Sequence, residues 1–289
     1  HYYKNYILNI KTIHMKIIIK KILRFIGNIL YVILNVPILD LIGDEYLKLK
    51  VNRTTKVVVK GKILLLTTPN FITRYRQKTF FTKEPDTLKW IESFDRNSVF
   101  YDIGANVGLY SIYAGLIKNS RVYCFEPSVF NLELLTKNIY LNNLVDNVTL
   151  VPIALNDKII VSNLKLSNTE WGGAHSTFDK DFDGDGEKMK IKFEYNTIGF
   201  DLNSFVESSK ILMPDHIKID VDGLEHFILK GADQVIKNAK SILVEINDDF
   251  GLQKEISEKI LKESGFILSE KNYADTDKKP IFNQIWKKN

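Results

Sequence analysis

Val99-Phe-Tyr-Asp-Ile-Gly-Ala-Asn-Val-Gly108 is the stretch that decides the fold. Val99, Phe100, Tyr101 and Ile103 suit a buried strand. The small residues Gly104, Ala105, Asn106 and Gly108 then break it, and an apolar helical run begins at Leu109. A strand that enters a helix through such a turn leaves backbone N–H groups free at the helix N-terminus, where a ligand can be held. A dinucleotide fingerprint reads Gly-x-Gly-x-x-Gly, whereas this turn reads Gly-x-Asn-x-Gly. Asp102, just before the turn, would repel a pyrophosphate and suits a ligand group that carries positive charge.

The next strand, Val122-Tyr-Cys-Phe125, ends in Glu126-Pro127, 22 residues after Gly104. An acid at that strand tip is where nucleotide-binding βαβ units hold a ribose diol. A cationic group and a ribose without a pyrophosphate describe S-adenosylmethionine. Asp-x-Gly-Ala-Asn-x-Gly, then Phe-Glu-Pro, then Ile217-Lys-Ile-Asp-Val-Asp-Gly-Leu-Glu225 resembles the FkbM family of class I S-adenosylmethionine-dependent methyltransferases, from about Thr79 to Trp286. Asn106 replaces the middle glycine of the class I motif.

The resemblance implies a cofactor site of Asp102, Gly104, Ala105, Asn106, Gly108, Glu126 and Pro127, with Ala154 and Leu155 lining the adenine pocket and Asp220 near the methyl group. It also implies methyl transfer to a hydroxyl of a sugar, glycan or polyketide-like product. The family most often has Glu where Asp222 stands.

Strand patterns at 99–103, 122–125, 148–153, 217–221 and 242–246 alternate with helical ones at 109–117, 128–141 and 224–236. Such alternation gives an α/β fold with a doubly wound, Rossmann-like, mostly parallel sheet, because parallel neighbours need long crossovers. Gly265–Leu268 and Phe282–Trp286 read as a C-terminal antiparallel hairpin. The expected division is an N-terminal helical and β extension over 1–79 and a methyltransferase domain over 80–289. Within the extension, 15–42 reads as a basic-fronted apolar helix and 46–68 as a hairpin. Residues 71–82 carry only a weak pattern.

Catalytic candidates follow from the chemistry of an alcohol, which must lose its proton as it attacks. Asp220 and Asp222 stand at the end of the fourth strand, and His226 and His175 have side chains that titrate nearest neutrality. Asp220 is expected nearest the reacting centre, with His226 as the first base to test. A Mg2+ ion on Asp220 with Glu245 or Asp248 is the alternative, though no spacing requires it. Glu170-Trp-Gly-Gly-Ala-His-Ser176 reads as a substrate-covering loop. The run from Asp179 to Gly186 opens like a calcium loop, but its closing position is Lys190 or Lys192 where Glu is needed, which excludes calcium there.

Composition sets the outer bounds. The 289 residues carry 40 Lys and Arg against 35 Asp and Glu, too small an excess to indicate nucleic acid. The single Cys124 sits in a strand pattern and suits a reducing, cytoplasmic setting. Residues 15–42 are interrupted by Asn28, Asn35, Pro37 and Asp40, so packing on the protein or lying on a membrane surface fits better than spanning one. Two other readings stand beside the methyltransferase: a non-catalytic cofactor- or membrane-binding module, and an NAD-type oxidoreductase. Oligomeric state is not readable from the sequence.

Overall fold

The computed structural model describes residues 18–29, 37–274 and 279–288. Its contacts divide the chain after Asn52. The first unit contains helix α1 (18–29) and helix α2 (Pro37–Val51). Residues 46–51 are therefore helical, not the start of the expected hairpin. Leu-Lys-Leu-Lys alternates like a strand but is made of strong helix formers, and Glu45 pairs with Lys48 one turn on, at 3.3 Å.

The second unit begins at Arg53 with β1 (Thr54–Val59), β2 (Lys62–Thr67), α3 (Phe71–Thr79) and α4 (Pro85–Glu92). The alternating βα part follows as β3 (Val99–Ile103), α5 (Leu109–Lys118), β4 (Arg121–Phe125), α6 (Val129–Leu141) and β5 (Val148–Val151). Then come β6 (Ala154–Leu155), β7 (Ile160–Leu166), β8 (Ser176–Phe178), β9 (Phe193–Phe200) and α7 (Leu202–Ser209). The chain ends with β10 (His216–Ile219), α8 (Glu225–Lys230), α9 (Asp233–Ile236), β11 (Ser241–Asn247), α10 (Gly251–Glu263), β12 (Ile267–Tyr273) and β13 (Ile281–Lys287).

The main sheet has seven strands in the order β12-β13-β11-β10-β3-β4-β5. The five strands from β11 to β5 run parallel, and β13 and β12 close the other edge as an antiparallel pair. The period of two along each strand sends alternate side chains to two cores. Tyr101, Ile103, Phe125, Ile217, Ile219 and Val244 pack on one side. Phe100, Val122, Cys124 and Leu243 pack on the other, together with Val57, Val59, Leu64 and Leu66 of the hairpin. The hairpin thus belongs to the same packed unit as the sheet, and the unit starts well before the boundary expected at 79. A second sheet, β6-β9-β7-β8, forms from the region of short strands.

Asn138 on α6 and Asn142 just after it, one turn apart, fasten the hairpin. Asn142 accepts from the Leu65 N–H and donates to the Leu65 carbonyl, both at 2.8 Å. Asn138 accepts from the Thr67 N–H at 2.7 Å and donates to the Val107 carbonyl at 2.9 Å, so it ties the hairpin to the Gly-Ala-Asn turn. The two amides give β2 the partners that a neighbouring strand would otherwise supply.

Two helices appear where little was expected. Helix α3 is started by a reciprocal capping box between Asn70 and Thr73, and α7 by Asp201, whose side chain accepts from the Ser204 N–H at 2.8 Å. The helix expected over 224–236 breaks into α8 and α9 at Gly231. A Cβ there would lie 2.3 Å from the Asn156 carbonyl oxygen.

Replacing Asn138 by leucine leaves the Thr67 N–H and the Val107 carbonyl buried without these partners, so a loss of about 3 kcal/mol is expected. Urea unfolding should show a lower midpoint at an unchanged slope. A midpoint equal to the parent's would contradict this fastening role.

Candidate active site

The turn after β3 is built by close approach. Gly104 has φ +81°, and a Cβ there would fall 1.9 Å from the Asp220 carbonyl oxygen, so only glycine fits. The N–H groups of Gly104 and Ala105 both donate to the Phe125 carbonyl at 3.0 Å. Asn106 takes the left-handed region at φ +51°, which asparagine tolerates better than most residues. Its side-chain amide donates to the Gly173 carbonyl at 2.7 Å. Gly108 caps α5 at φ +83° and packs on Leu135, so it shapes the turn without facing the cleft.

Three adjoining cavities lie over the carboxyl ends of the inner strands. The smallest, about 70 Å3, is lined by Phe125, Glu126, Pro127, Ile153, Ala154 and Leu155 among others. A cleft of about 510 Å3 adjoins it, with Ile72, Tyr75, Arg76 and Thr79 of α3 on one wall. Gly104, Asn106, Asp220 and Asp222 border both. Asp222 also borders a third cavity, of about 450 Å3. Ala105 lines the middle cleft.

The loop through Trp171 and His175 crosses this region as a strap. Asn70 Nδ2 donates to the Trp171 carbonyl and Arg76 Nε to the Gly172 carbonyl, both at 2.8 Å. Asn131 Nδ2 donates to the Gly173 carbonyl at 3.2 Å. The Asp222 carboxylate accepts from the N–H groups of His175 and Ser176 at 2.8 and 3.4 Å.

Charge in the site is graded. Lys218 is 1% exposed and its Nζ lies 2.6 Å from Asp220 Oδ2. Burial opposes its charge, but Asp220, Asp102 and Glu84 outweigh burial and raise its pKa. Burial likewise opposes ionisation of Asp220, and Lys218 reverses this and lowers it. Burial raises Asp222 against the pull of His175. Glu245 is raised well above the usual carboxylate range by burial and then by Asp220 and Glu84. Burial takes Glu126 up to about 7, although it accepts the N–H groups of Asn106 and Ser128 at 2.8 Å each.

A match to the methyltransferase FkbM domain covers residues 102–271. The chain belongs to the FkbM methyltransferase family. Its members use S-adenosylmethionine, so this is a cofactor-dependent methyltransferase, and the oxidoreductase and non-catalytic readings fall away. Over 211 residues it is 25% identical to the methyltransferase sdnD of Sordaria araneosa, covering 62% of this chain and 77% of that one. Over 167 residues it is 26% identical to the hexuronic acid methyltransferase AglP of Haloferax volcanii, covering 57% of this chain and 62% of that one. Methyltransferase FkbM from Methylobacillus flagellatus superposes with a TM-score of 0.47 and 15% identity, over 67% of this chain and 44% of the other.

In this FkbM methyltransferase two expected site residues lie elsewhere. Asp102 is 1% exposed and lines none of the three cavities. It accepts from Ser111 Oγ at 2.5 Å and stands in register with Lys218 on β10, whose charge it helps to hold. His226 is fully buried against the rings of Phe227 and Phe250 and lines none of the three cavities, so it is not placed there to take a proton from a substrate. His175 remains at the cleft, with Nδ1 3.7 Å from Asp222 Oδ1.

Of the residues weighed for Mg2+, Glu245 faces the cleft, but Asp248 pairs with Lys254 and Lys271 at 3.2 and 2.6 Å. Among the described residues no three His, Cys, Asp or Glu side chains converge in a metal-binding arrangement. Lys218 and the α3 wall were not anticipated as parts of the site. A lysine inside the apolar run Ile217-Lys-Ile219 was the available signal for the first.

Burial lowers His226 to about 4. The unfolded chain takes up this proton below about pH 6.5 while the folded chain refuses it, so the parent loses stability as pH falls from there toward 4. His226→Leu lacks this loss. Its unfolding free energy should gain about 2 kcal/mol on the parent between pH 7 and pH 5, and a pH-independent difference would place the histidine in a solvated setting instead.

Proposed function

We propose that this enzyme methylates a hydroxyl oxygen of a sugar, glycan or related natural product, with Asp222 and His175 beside the reacting atoms. The observation that carries this reading is that Asp222 borders all three cavities, so a group held there meets both the nucleoside side and the acceptor side. When bound, S-adenosylmethionine supplies an electrophilic methyl group on a sulfonium whose positive charge disappears as the methyl leaves.

The residues present fit that cofactor. Phe125, Ile153, Ala154 and Leu155 give apolar walls for an adenine, and Glu126 Oε2, which accepts the Asn106 N–H, keeps a lone pair for a ribose hydroxyl, while Oε1 accepts from Ser128 N–H and Asn131 Nδ2. Asp220, kept ionised by Lys218, supplies negative charge beside the glycine turn, the part first expected of Asp102. His175 takes the acceptor's proton as its oxygen attacks the methyl carbon, and Asp222 steadies the imidazolium. Arg76 and Lys83, the latter 3.5 Å from Glu84, line the cleft together with Asp220, Asp222 and Glu245, and the two cations would be the partners of an acidic sugar of the kind AglP is named for. Holding the partners at attack distance contributes most of the acceleration.

His175→Ala should lower kcat by about 100 to 10,000-fold while calorimetry finds its affinity for S-adenosylhomocysteine unchanged. Glu126→Gln should weaken that affinity. Parent-like turnover in the histidine variant, on a glycan acceptor and with labelled cofactor, rules out the assigned base.

The site of action we infer is the cytoplasmic surface of an anionic membrane, reached through α1. At 3.6 residues per turn, Ile18, Ile22, Phe25, Ile26 and Ile29 share one side, while Lys20 and Arg24 lie opposite and Lys21 lies at its edge. All five apolar residues are exposed, and among the described residues no helix is long and apolar enough to cross a membrane. An apolar side with a basic opposite side suits the headgroup boundary. Replacing all three cations by alanine should cut binding to phosphatidylglycerol vesicles about 100-fold, at about 1 kcal/mol per charge. Equal sedimentation of the two proteins with those vesicles counts against the assignment.

A further inference from the structure

The third cavity lies beside the acceptor cleft, for His175, Asp222, Glu245, Lys279 and Ile281 line both. Its far wall is the turn over 181–190, and that turn is firmly built. Phe182 bridges to Lys188, and Asp183 Oδ1 accepts from the N–H groups of Asp185 and Glu187 at 3.0 and 3.2 Å. Asn247 Nδ2 on β11 donates to the Gly184 carbonyl at 3.1 Å and to Asp185 Oδ1 at 3.0 Å. Gly223 lets the turn touch the end of β10, since a Cβ there would lie 2.8 Å from the Asp183 carbonyl oxygen. The acidic run that opens like a calcium loop thus serves to fix a wall beside Asp222.

The chemistry of this wall selects its occupant. Asp183 and Asp185 are followed by Lys188 and Lys190, Ser167 and Asn247 add uncharged donors and acceptors, and among the described lining residues only Met189 and Ile281 are apolar. An acyl chain would leave these polar groups without partners. A nucleic acid strand would meet like charge from the acids and find no aromatic face to stack on. A hydroxyl-rich chain satisfies both signs at once.

We infer that the acceptor is an oligosaccharide, and that the unit next to the methylated sugar occupies the cavity between the 181–190 turn and β11. This rests on the O-methyltransferase reading, and it narrows the acceptor from any sugar or natural product to one at least two units long. The test uses the full chain, labelled S-adenosylmethionine, and ladders of hexose and hexuronate glycosides of one, two and four units. KM is expected to fall about tenfold from one unit to two, the effect of about 1.4 kcal/mol of added contact. In the Lys188→Ala, Lys190→Ala double variant, with S-adenosylhomocysteine affinity as the check on folding, KM should no longer depend on length. Equal KM for every length in the parent overturns the inference and leaves the O-methyl reading standing. A length effect that survives in the double variant overturns the placement of the second unit in this cavity. Absence of any methylated saccharide overturns the inference and the reading together.

Discussion

An ammonium group buried in the parallel sheet sets the charge arrangement of this enzyme. Lys218 sits in the middle of β10, faces Asp102 across the strand pair, and contacts Asp220 at 2.6 Å, with the Tyr110 ring 5.1 Å from Nζ. A charge at such depth persists only when it is paired, and removing one partner of a buried pair costs about 3 to 5 kcal/mol. The acids around it therefore have a structural role before any ligand arrives. Asp102 shares that role, facing Lys218 across the ladder with one oxygen held by Ser111, although burial raises its pKa against the pull of the lysine. Asp220, two residues further along the chain toward the cleft, serves the lysine and still borders two cavities.

The fold was readable because its strongest signals are local. Buried alternation in Val99–Ile103, Val122–Phe125 and Ile242–Ile246, each separated by a helix, leaves little choice beyond a parallel sheet. The glycine turn and the acid at Glu126 are local signals too, and the structure puts both at the strand ends. What could not be read depends on neighbours distant in sequence. Helix α3 has a weak apolar pattern because its inward residues, Ile72, Tyr75, Arg76 and Thr79, line a polar cleft and not a core. The break at Gly231 arises from a carbonyl on Asn156. His226 was chosen for its side chain and its closeness to Asp220 in sequence, yet the first turn of α8 rotates it inward beneath Phe250. Burial of His226 agrees with the apolar residues Phe227, Ile228 and Leu229 that follow it, although Glu225 precedes it.

The strap from 168 to 176 shows how the family motif and its surroundings are joined. Asn106, standing where the class I motif has glycine, has a side chain that glycine lacks, and that side chain holds the Gly173 carbonyl. Asn131 on α6 holds the same carbonyl and also accepts from the Gly172 N–H at 3.1 Å. The replacement thus exchanges some backbone freedom at the turn for a covering segment fixed from below, while Asn70 and Arg76 fix it from α3. The residues that line the cleft are in this way positioned by elements on both sides of it.

The acids at the strand ends are a coupled set. Asp220, Asp222 and Glu245 share one low-dielectric region, and like charges so placed resist ionising together. Lys218 decides which of them keeps its charge: Asp220 is lowered, while Asp222 and Glu245 are raised. An incoming cation changes this balance, because positive charge near the set favours the ionised form of every member. A sulfonium with an α-ammonium group would thus meet one anion already in place and, by its arrival, draw protons from the others. The same buried lysine that keeps the sheet's charges paired thereby leaves Asp220 as the ionised acid beside the glycine turn.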